Sequence, residues 1–266
     1  MSAVKILTST PDISVIVCSR EPPQWNSHEK NVRHTIGLSH EYIRIHNQSG
    51  RYGICDAYNE GVTRAKGRIL VFVHEDVFFM EPGWGRILAD KFIRDDSLGL
   101  VGVAGTQYLT SGHPAWLAAG EPFLRGRVIH ELDQGRLHYL SVFSWEKEDA
   151  EVVAVDGLFM AIRQSLFPKI WFDALTFDAF HFYDLDICMQ VRKTHKLMVT
   201  WDILLKHLSK GTCDAIWLEA GKRFLKKYRH ELPVSCVDSA PGPGKKKFGR
   251  DYDLKKCISE RFVSHV

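Results

Sequence analysis

Residues Ile13-Ser14-Val15-Ile16-Val17-Cys18 form a short, nearly unbroken apolar run. A strand with one wet face alternates apolar and polar residues, whereas a run that is apolar at successive positions belongs to a strand buried on both faces of a helix-covered parallel sheet. Arg68-Ile69-Leu70-Val71-Phe72-Val73 repeats the pattern. Tyr42 to His46 reads as another strand, ending in the turn-forming Asn47-Gln48-Ser49-Gly50, and Leu98 to Ala104 as a Gly-rich fourth. Between them Ile54, Ala57, Tyr58, Gly61, Val62 and Ala65 recur at helical spacing, with Gly67 at the expected C-terminal cap. Strands alternating with helices predict an α/β fold with a Rossmann-like, doubly wound and mostly parallel sheet.

Such a sheet binds ligands beyond the carboxyl ends of its strands, so polar clusters just after strands are the candidate site. Three stand out: Ser19-Arg20-Glu21, Asn47-Gln48-Ser49 and His74-Glu75-Asp76. Further on, Thr106 to Glu151 is a long insertion without clear period, the kind of segment that forms binding loops. Val152 to Val155 reads as a strand, followed by Asp156-Gly157 and the apolar Leu158 to Ile162. Asp184 to Lys193 reads as helical and Leu197 to Leu205 as extended.

Several function classes lose their support. There is no Gly-x-x-x-x-Gly-Lys-[Ser/Thr] loop and no Gly-x-Gly-x-x-Gly opening a helix. His-Glu occurs five times but never with a second His at the spacing of a zinc-protease helix. The six cysteines include no Cys-x-x-Cys pair, which speaks against a structural zinc site or a disulfide framework and for a reducing cytoplasm. Neither a basic, apolar leader nor a run of about eighteen apolar residues occurs. The net charge of +3 is concentrated in residues 241–266, where seven Lys or Arg face three Asp or Glu around Lys245-Lys246-Lys247. That tail reads as a solvated segment or as a peripheral contact with an anionic membrane surface; no recognition motif accompanies it, so nucleic acid is not an expected partner.

The remaining polar constellations carry chemistry. Carboxylates directly after an apolar strand, as in His74-Glu75-Asp76, can hold a hard divalent cation against phosphate oxygens. In Phe180-His181-Phe182-Tyr183-Asp184-Leu185-Asp186 the two acids, two apart on a helix, point to nearly opposite faces and cannot both enter one cleft. Asp184 suits an N-cap, a general base, or both. His207, after the apolar Leu197 to Leu205 segment, can complete a metal site begun by Asp76 or be structural.

Taken in order, these pieces resemble the GT-A glycosyltransferases of the large family-2 type, and within them a bacterial glycosyltransferase-like subgroup. The resemblance spans Ile13 to about Tyr228. It is carried by Tyr58-Asn59-Glu60-Gly61 with Ala65-Lys66-Gly67, Val71-Phe72-Val73-His74-Glu75-Asp76-Val77, and Val155-Asp156-Gly157-Leu158-Phe159-Met160-Ala161. Phe177-Asp178, Phe180 to Asp186, His207-x-Ser209-x-Gly211, Trp217 and Phe224-Leu225-Lys226-Lys227-Tyr228 complete it.

The resemblance implies a nucleotide-diphosphate-sugar donor, commonly a UDP-sugar, a Mn2+ or Mg2+ cofactor, and inversion at the anomeric carbon. It implies a GT-A domain over residues 1–235 and a basic tail over 236–266. By position, Cys18, Ser19, Arg20 and Glu75 are expected around the nucleotide, Asn47 near the base, and Asn59 and Gly67 at the border of its pocket. Asp76 matches the metal-binding Asp of the family's Asp-x-Asp signature and His207 the late His that can join the metal. Asp184 matches the catalytic base, while Asp156, Gly157, His181 and Asp186 are expected near donor sugar or acceptor, Asp186 as a nearby structural acid. Three positions depart from the pattern: His74 replaces the first Asp of Asp-x-Asp, Cys18 replaces a Pro, and Tyr183 replaces the Glu before the base. The acceptor expected by resemblance is a glycan or a lipid-linked sugar, at the inner face of the cytoplasmic membrane, in surface polysaccharide synthesis. A nucleotidyltransferase and a catalytically inactive nucleotide-sugar-binding protein remain alternatives on the same sheet.

Overall fold

The computed structural model describes residues 10–23, 25–132, 137–144, 146–167, 169–209 and 214–239. Gly211 and the basic stretch 241–266 lie outside the described residues. The first half of the chain runs β1 (Ile13–Ser19), α1 (Trp25–Thr35), β2 (His40–His46), α2 (Ile54–Arg64), β3 (Ile69–Val73), β4 (Val77–Phe79), α3 (Trp84–Arg94) and β5 (Leu98–Gly102). Short strands follow as β6 (Ala104–Thr106), β7 (Tyr108–Leu109), β8 (Leu124–Leu132), β9 (Leu137–Val142), β10 (Ala150–Val152) and β11 (Ala154–Val155). The chain then forms β12 (Phe159–Arg163), α4 (Tyr183–Val191), β13 (Lys196–Val199), β14 (Leu205–His207), α5 (Ala215–Lys227) and β15 (Val234–Ser235).

The main sheet has the order β10-β13-β5-β12-β3-β1-β2. Strand β1 is parallel to β2 and β3, and β13 is parallel to β5; β12 runs antiparallel between β3 and β5, and β10 is antiparallel at the edge. Five of the seven strands therefore share one direction, which is the mostly parallel sheet the apolar runs predict. The runs are unbroken because both faces are covered. Ile13, Val15, Val17, Val71 and Val73 pack with Val32, Ile36, Trp84 and Leu88 of the α1 and α3 layer. Ile16, Leu70 and Phe72 pack on the other side with Ala57, Tyr58, Ile187 and Phe224. Each such aliphatic or aromatic side chain contributes roughly 1.5–3 kcal/mol on full burial.

A second sheet, β11-β6-β8-β14-β4 with β9 beside β8, lies across the carboxyl ends of the first. The segment Leu197 to Leu205, expected to be one extended piece, instead changes sheets. It runs as β13, turns, and continues as β14; Asp149 holds the turn by accepting from Thr200 Oγ1 and Trp201 N–H at 2.9 and 3.0 Å. The insertion Thr106 to Glu151 is likewise not loop alone: it builds β8, β9 and a tight helical turn at Trp116–Ala119. No helix among the described residues is long and apolar enough to cross a membrane.

Gly67 does not cap α2. The helix ends at Arg64, and the N–H of the extended Ala65 closes it onto Gly61 O and Val62 O. Gly67 instead lies against the amino end of β1: its N–H donates to Ser14 Oγ at 2.8 Å, and that hydroxyl donates to Glu41 Oε1 at 2.6 Å. A Cβ at Gly67 would sit 2.5 Å from Ser14 N and 2.7 Å from Ile13 C, both backbone atoms that cannot step aside. Gly67→Ala is expected to lower stability by about 1–3 kcal/mol through overpacking, read as a shifted urea midpoint at unchanged slope; an unshifted midpoint would contradict this packing.

Candidate functional site

Strand β3 ends at Val73, and His74 N–H donates to Leu158 O at 3.2 Å, fixing the first residue beyond the sheet. Val77 N–H then donates to His74 O at 3.2 Å, closing a tight turn over Glu75 and Asp76 that brings His74 and Asp76 near one another. The second sheet then supplies the third member. Strand β14 pairs antiparallel with β4, His207 opposite Val77, and Leu208 N–H donates to Asp76 O at 3.0 Å. His207 Nε2 thereby comes to 3.4 Å from Asp76 Oδ1, with Ser209 Oγ 2.9 Å from the same nitrogen. One donor atom each from His74, Asp76 and His207 lies within 4.8 Å of the others.

Burial opposes the charge of Asp76. The hydrogen bond and charge of His207, the charge of His74 and the Ser209 hydroxyl outweigh it and hold the carboxyl well below the usual carboxylate range. Burial also pushes the His74 imidazole down, against the pull of Asp76, which favours the neutral ring that can donate a lone pair. Two imidazoles and an ionised carboxylate are a donor set that can hold a divalent ion.

The second part of the site sits beside the first. Helix α4 starts after Phe182, whose backbone is left-handed at φ 66°; its ring packs on Trp217 and Phe224. Tyr183 extends its hydroxyl to 2.6 Å from His74 Nε2 and 3.1 Å from Gly157 O. The N–H of Gly157 donates to Asp184 Oδ2 at 3.0 Å. A Cβ on Gly157 would fall 2.3 Å from the Tyr183 oxygen and 3.0 Å from Asp184 Cβ, so only glycine admits both side chains. Burial pushes the Asp184 carboxyl up to about 7, aided by the charge of Asp156 and opposed by the N–H groups of Leu185, Gly157 and Asp184 itself. Asp156 is held by Leu158 N–H at 2.9 Å and by Trp116 Nε1–H at 3.0 Å. Asp76 and Asp184, far apart in sequence, thus lie on one rim of the sheet, joined through His74, Tyr183 and Gly157.

Cys18, Ser19, Arg20, Asn47 and Glu75 gather at the carboxyl ends of β1, β2 and β3. Arg20 N–H donates to Glu75 Oε1 at 3.1 Å, Asn47 N–H to Ser19 O at 2.7 Å, and Glu21 N–H to Ser19 Oγ at 3.0 Å. The Asn47 amide is taken up by the backbone of Tyr52, with both contacts at 2.9 Å, and approaches Cys18 Sγ at 3.5 Å. Burial pushes the Cys18 thiol up. His181 lies beside Phe180, whose ring is 5.3 Å from that of His74, and its Nε2 is 3.9 Å from Asp214 Oδ1; burial pushes its imidazole down.

Three expected site residues lie elsewhere. Gly67 is at the opposite, amino end of β1, where it serves strand packing. Asn59 spends both ends of its amide on the backbone of Phe172, at 2.8 and 3.1 Å, as a strap between α2 and the segment before α4. Asp186 is fully buried and accepts from Lys227 Nζ at 2.5 Å, Tyr228 OH at 2.6 Å and Gln190 Nε2 at 2.8 Å, so its charge is already met on the far face of α4. Nor is Asp184 the N-cap: it lies in the first helical turn. Conversely, His74 as a donor, Tyr183 as a bridge and Trp116 as a partner of Asp156 were not anticipated. The two-residue spacing from Asp76 was a signal for His74; nothing local pointed to Trp116, which the insertion delivers.

Comparison with known proteins agrees with this architecture. A family model described as glycosyltransferase like family matches residues 14–231. A relative from Fuscovulum blasticum, described as ATP synthase subunits region ORF 6, is 25% identical over 206 residues, covering 74% of this chain and 76% of its own length. The crystal structure of GalNAc-T7 with UDP, GalNAc and Mn2+ superposes with a TM-score of 0.50 at 11% identity, covering 82% of this chain. The chain spans about half of that protein, 48% of its length, and the likeness is one of fold. The match over most of its length and the arrangement of its sheets agree: the chain belongs to the glycosyltransferase-like family and has the GT-A glycosyltransferase fold.

Proposed function

We propose that the protein is a metal-dependent inverting glycosyltransferase that moves a sugar from a nucleotide-diphosphate sugar, a UDP-hexose or UDP-N-acetylhexosamine, to a hydroxyl of a glycan or lipid-linked acceptor. The observation that carries this reading is the shared rim: the His74, Asp76 and His207 donors and the Asp184 carboxylate are linked by a short hydrogen-bonded path. The UDP, GalNAc and Mn2+ present in the GalNAc-T7 structure favour the same ligand class.

In this reading His74, Asp76 and His207 would hold Mn2+ or Mg2+. When bound, the ion offsets the negative charge that develops on the nucleoside diphosphate as it leaves. Cys18, Ser19, Arg20, Asn47 and Glu75, at the ends of β1 to β3, form the nucleotide side; Asp156, Gly157 and His181 border the donor sugar and acceptor. Asp184 takes the proton of the acceptor hydroxyl as its oxygen bonds to the anomeric carbon, while the carbon–oxygen bond to the diphosphate breaks on the opposite face. That in-line geometry inverts the centre. Acceptor choice rests with the 106–151 insertion, whose Trp116 reaches Asp156. The same reading places the protein in surface polysaccharide synthesis at the inner face of the cytoplasmic membrane.

Asp184→Asn is expected to lower kcat by about 10²- to 10⁴-fold, as removal of a general base does. UDP–Mn2+ affinity by calorimetry should stay within a few-fold of the wild type; undiminished turnover would remove Asp184 from the mechanism. The pH profile carries a second expectation. The base must be ionised, and its carboxyl is pushed up to about 7, so kcat/KM should fall with decreasing pH below that value and level off above it. A profile already flat down to pH 5 would contradict the assignment.

A further inference from the structure

The Tyr183 hydroxyl has one proton and two partners. It lies 3.1 Å from Gly157 O and 2.6 Å from His74 Nε2. A carbonyl oxygen can only accept, so both contacts are hydrogen bonds at once only when the hydroxyl proton goes to Gly157 O and His74 donates the shorter bond as Nε2–H. A neutral imidazole carries a single proton, and Nδ1 of His74 therefore keeps its lone pair.

We infer that Tyr183 is a positioning residue: it locks His74 in the Nε2–H tautomer and so leaves Nδ1 as the atom that binds the divalent ion. The inference rests on the reading of His74, Asp76 and His207 as a metal centre. Everything around the hydroxyl supports a fixed partner rather than a passing contact. Tyr183 is buried, with its ring against Tyr58 at 5.6 Å and Phe180 at 6.1 Å between centroids. Gly157 leaves room for the hydroxyl, since a Cβ there would lie 2.3 Å from the Tyr183 oxygen. The same Gly157 peptide offers its carbonyl to Tyr183 and its N–H to Asp184 Oδ2, so one rigid unit orients a metal ligand through Tyr183 and the base directly. Metal-bound histidines generally donate their second ring N–H to such a partner, and its loss typically costs about 10–100-fold in metal affinity.

The test has two arms on the full-length protein. Long-range 1H–15N correlation on the metal-free protein, with His74→Gln used to assign the signal, reads the tautomer without any ligand; Nε2–H is expected, and Nδ1–H overturns the proposal. Titration of Mn2+ alone by calorimetry then compares the wild type with Tyr183→Phe, which keeps the buried ring, and with Asp76→Ala. Tyr183→Phe is expected to raise the Mn2+ Kd by about 10–100-fold with an unchanged circular dichroism spectrum; wild-type affinity in that variant overturns the positioning role while leaving the metal centre standing. Wild-type Mn2+ binding that ignores Asp76→Ala would remove the centre and the inference together, and the tautomer arm separates that failure from the first.

Discussion

Both faces of β1 and β3 are buried, and this leaves the chain one place for polar chemistry along them: their ends. Along Ile13 to Val17 and Ile69 to Val73 the apolar side chains enter two separate clusters, and the one polar member, Ser14, is bonded to Glu41 and Gly67, so a charge at an apolar position would lie unpaired in one of them. An isolated charge buried in such surroundings is destabilising by several kcal/mol, which confines Arg20, His74, Glu75 and Asp76 to the first residues beyond the strands. The position of the site is a consequence of the core rather than a feature added to it.

At that rim no side chain acts alone. The β4–β14 ladder sets the distance between Asp76 and His207, and Gly157 sets the positions of Tyr183 and Asp184 with its two polar groups. The two halves meet at the contact between Tyr183 and His74. Two of the three positions that depart from the pattern the sequence resembles meet here: His74 after β3 and Tyr183 at the start of α4 are joined by one hydrogen bond.

Much of the framework was legible in the sequence because it depends on local periodicity. The unbroken run at Ile13 and its echo at Ile69 specify strands covered on both sides, and the polar clusters after them mark one rim. The opposed directions of Asp184 and Asp186 also follow from helical geometry, and the buried ion pair of Asp186 with Lys227 satisfies it. What failed were three roles that distant contacts decide, those of Gly67, Asn59 and Trp116. Gly67 reads as a helix cap or a pocket residue from its neighbours alone, yet its need for a missing side chain comes from Ser14, 53 residues away. Asn59 answers to Phe172, 113 residues distant, and Trp116 reaches Asp156 only because the insertion folds back as strands. Short-range pattern carries no information about such partners.

The proposed reaction requires His74, Asp76 and His207, together with Asp184, to meet a bound nucleoside diphosphate at one rim of the sheet. Crystals grown with UDP and Mn2+ and measured at the manganese absorption edge test it most directly. The anomalous peak should lie within bonding distance of His74 Nδ1, an Asp76 oxygen and a His207 nitrogen, with the diphosphate on the Asp184 side of the ion. A peak bound by other residues, or a nucleotide seated at the amino end of β1, would contradict it.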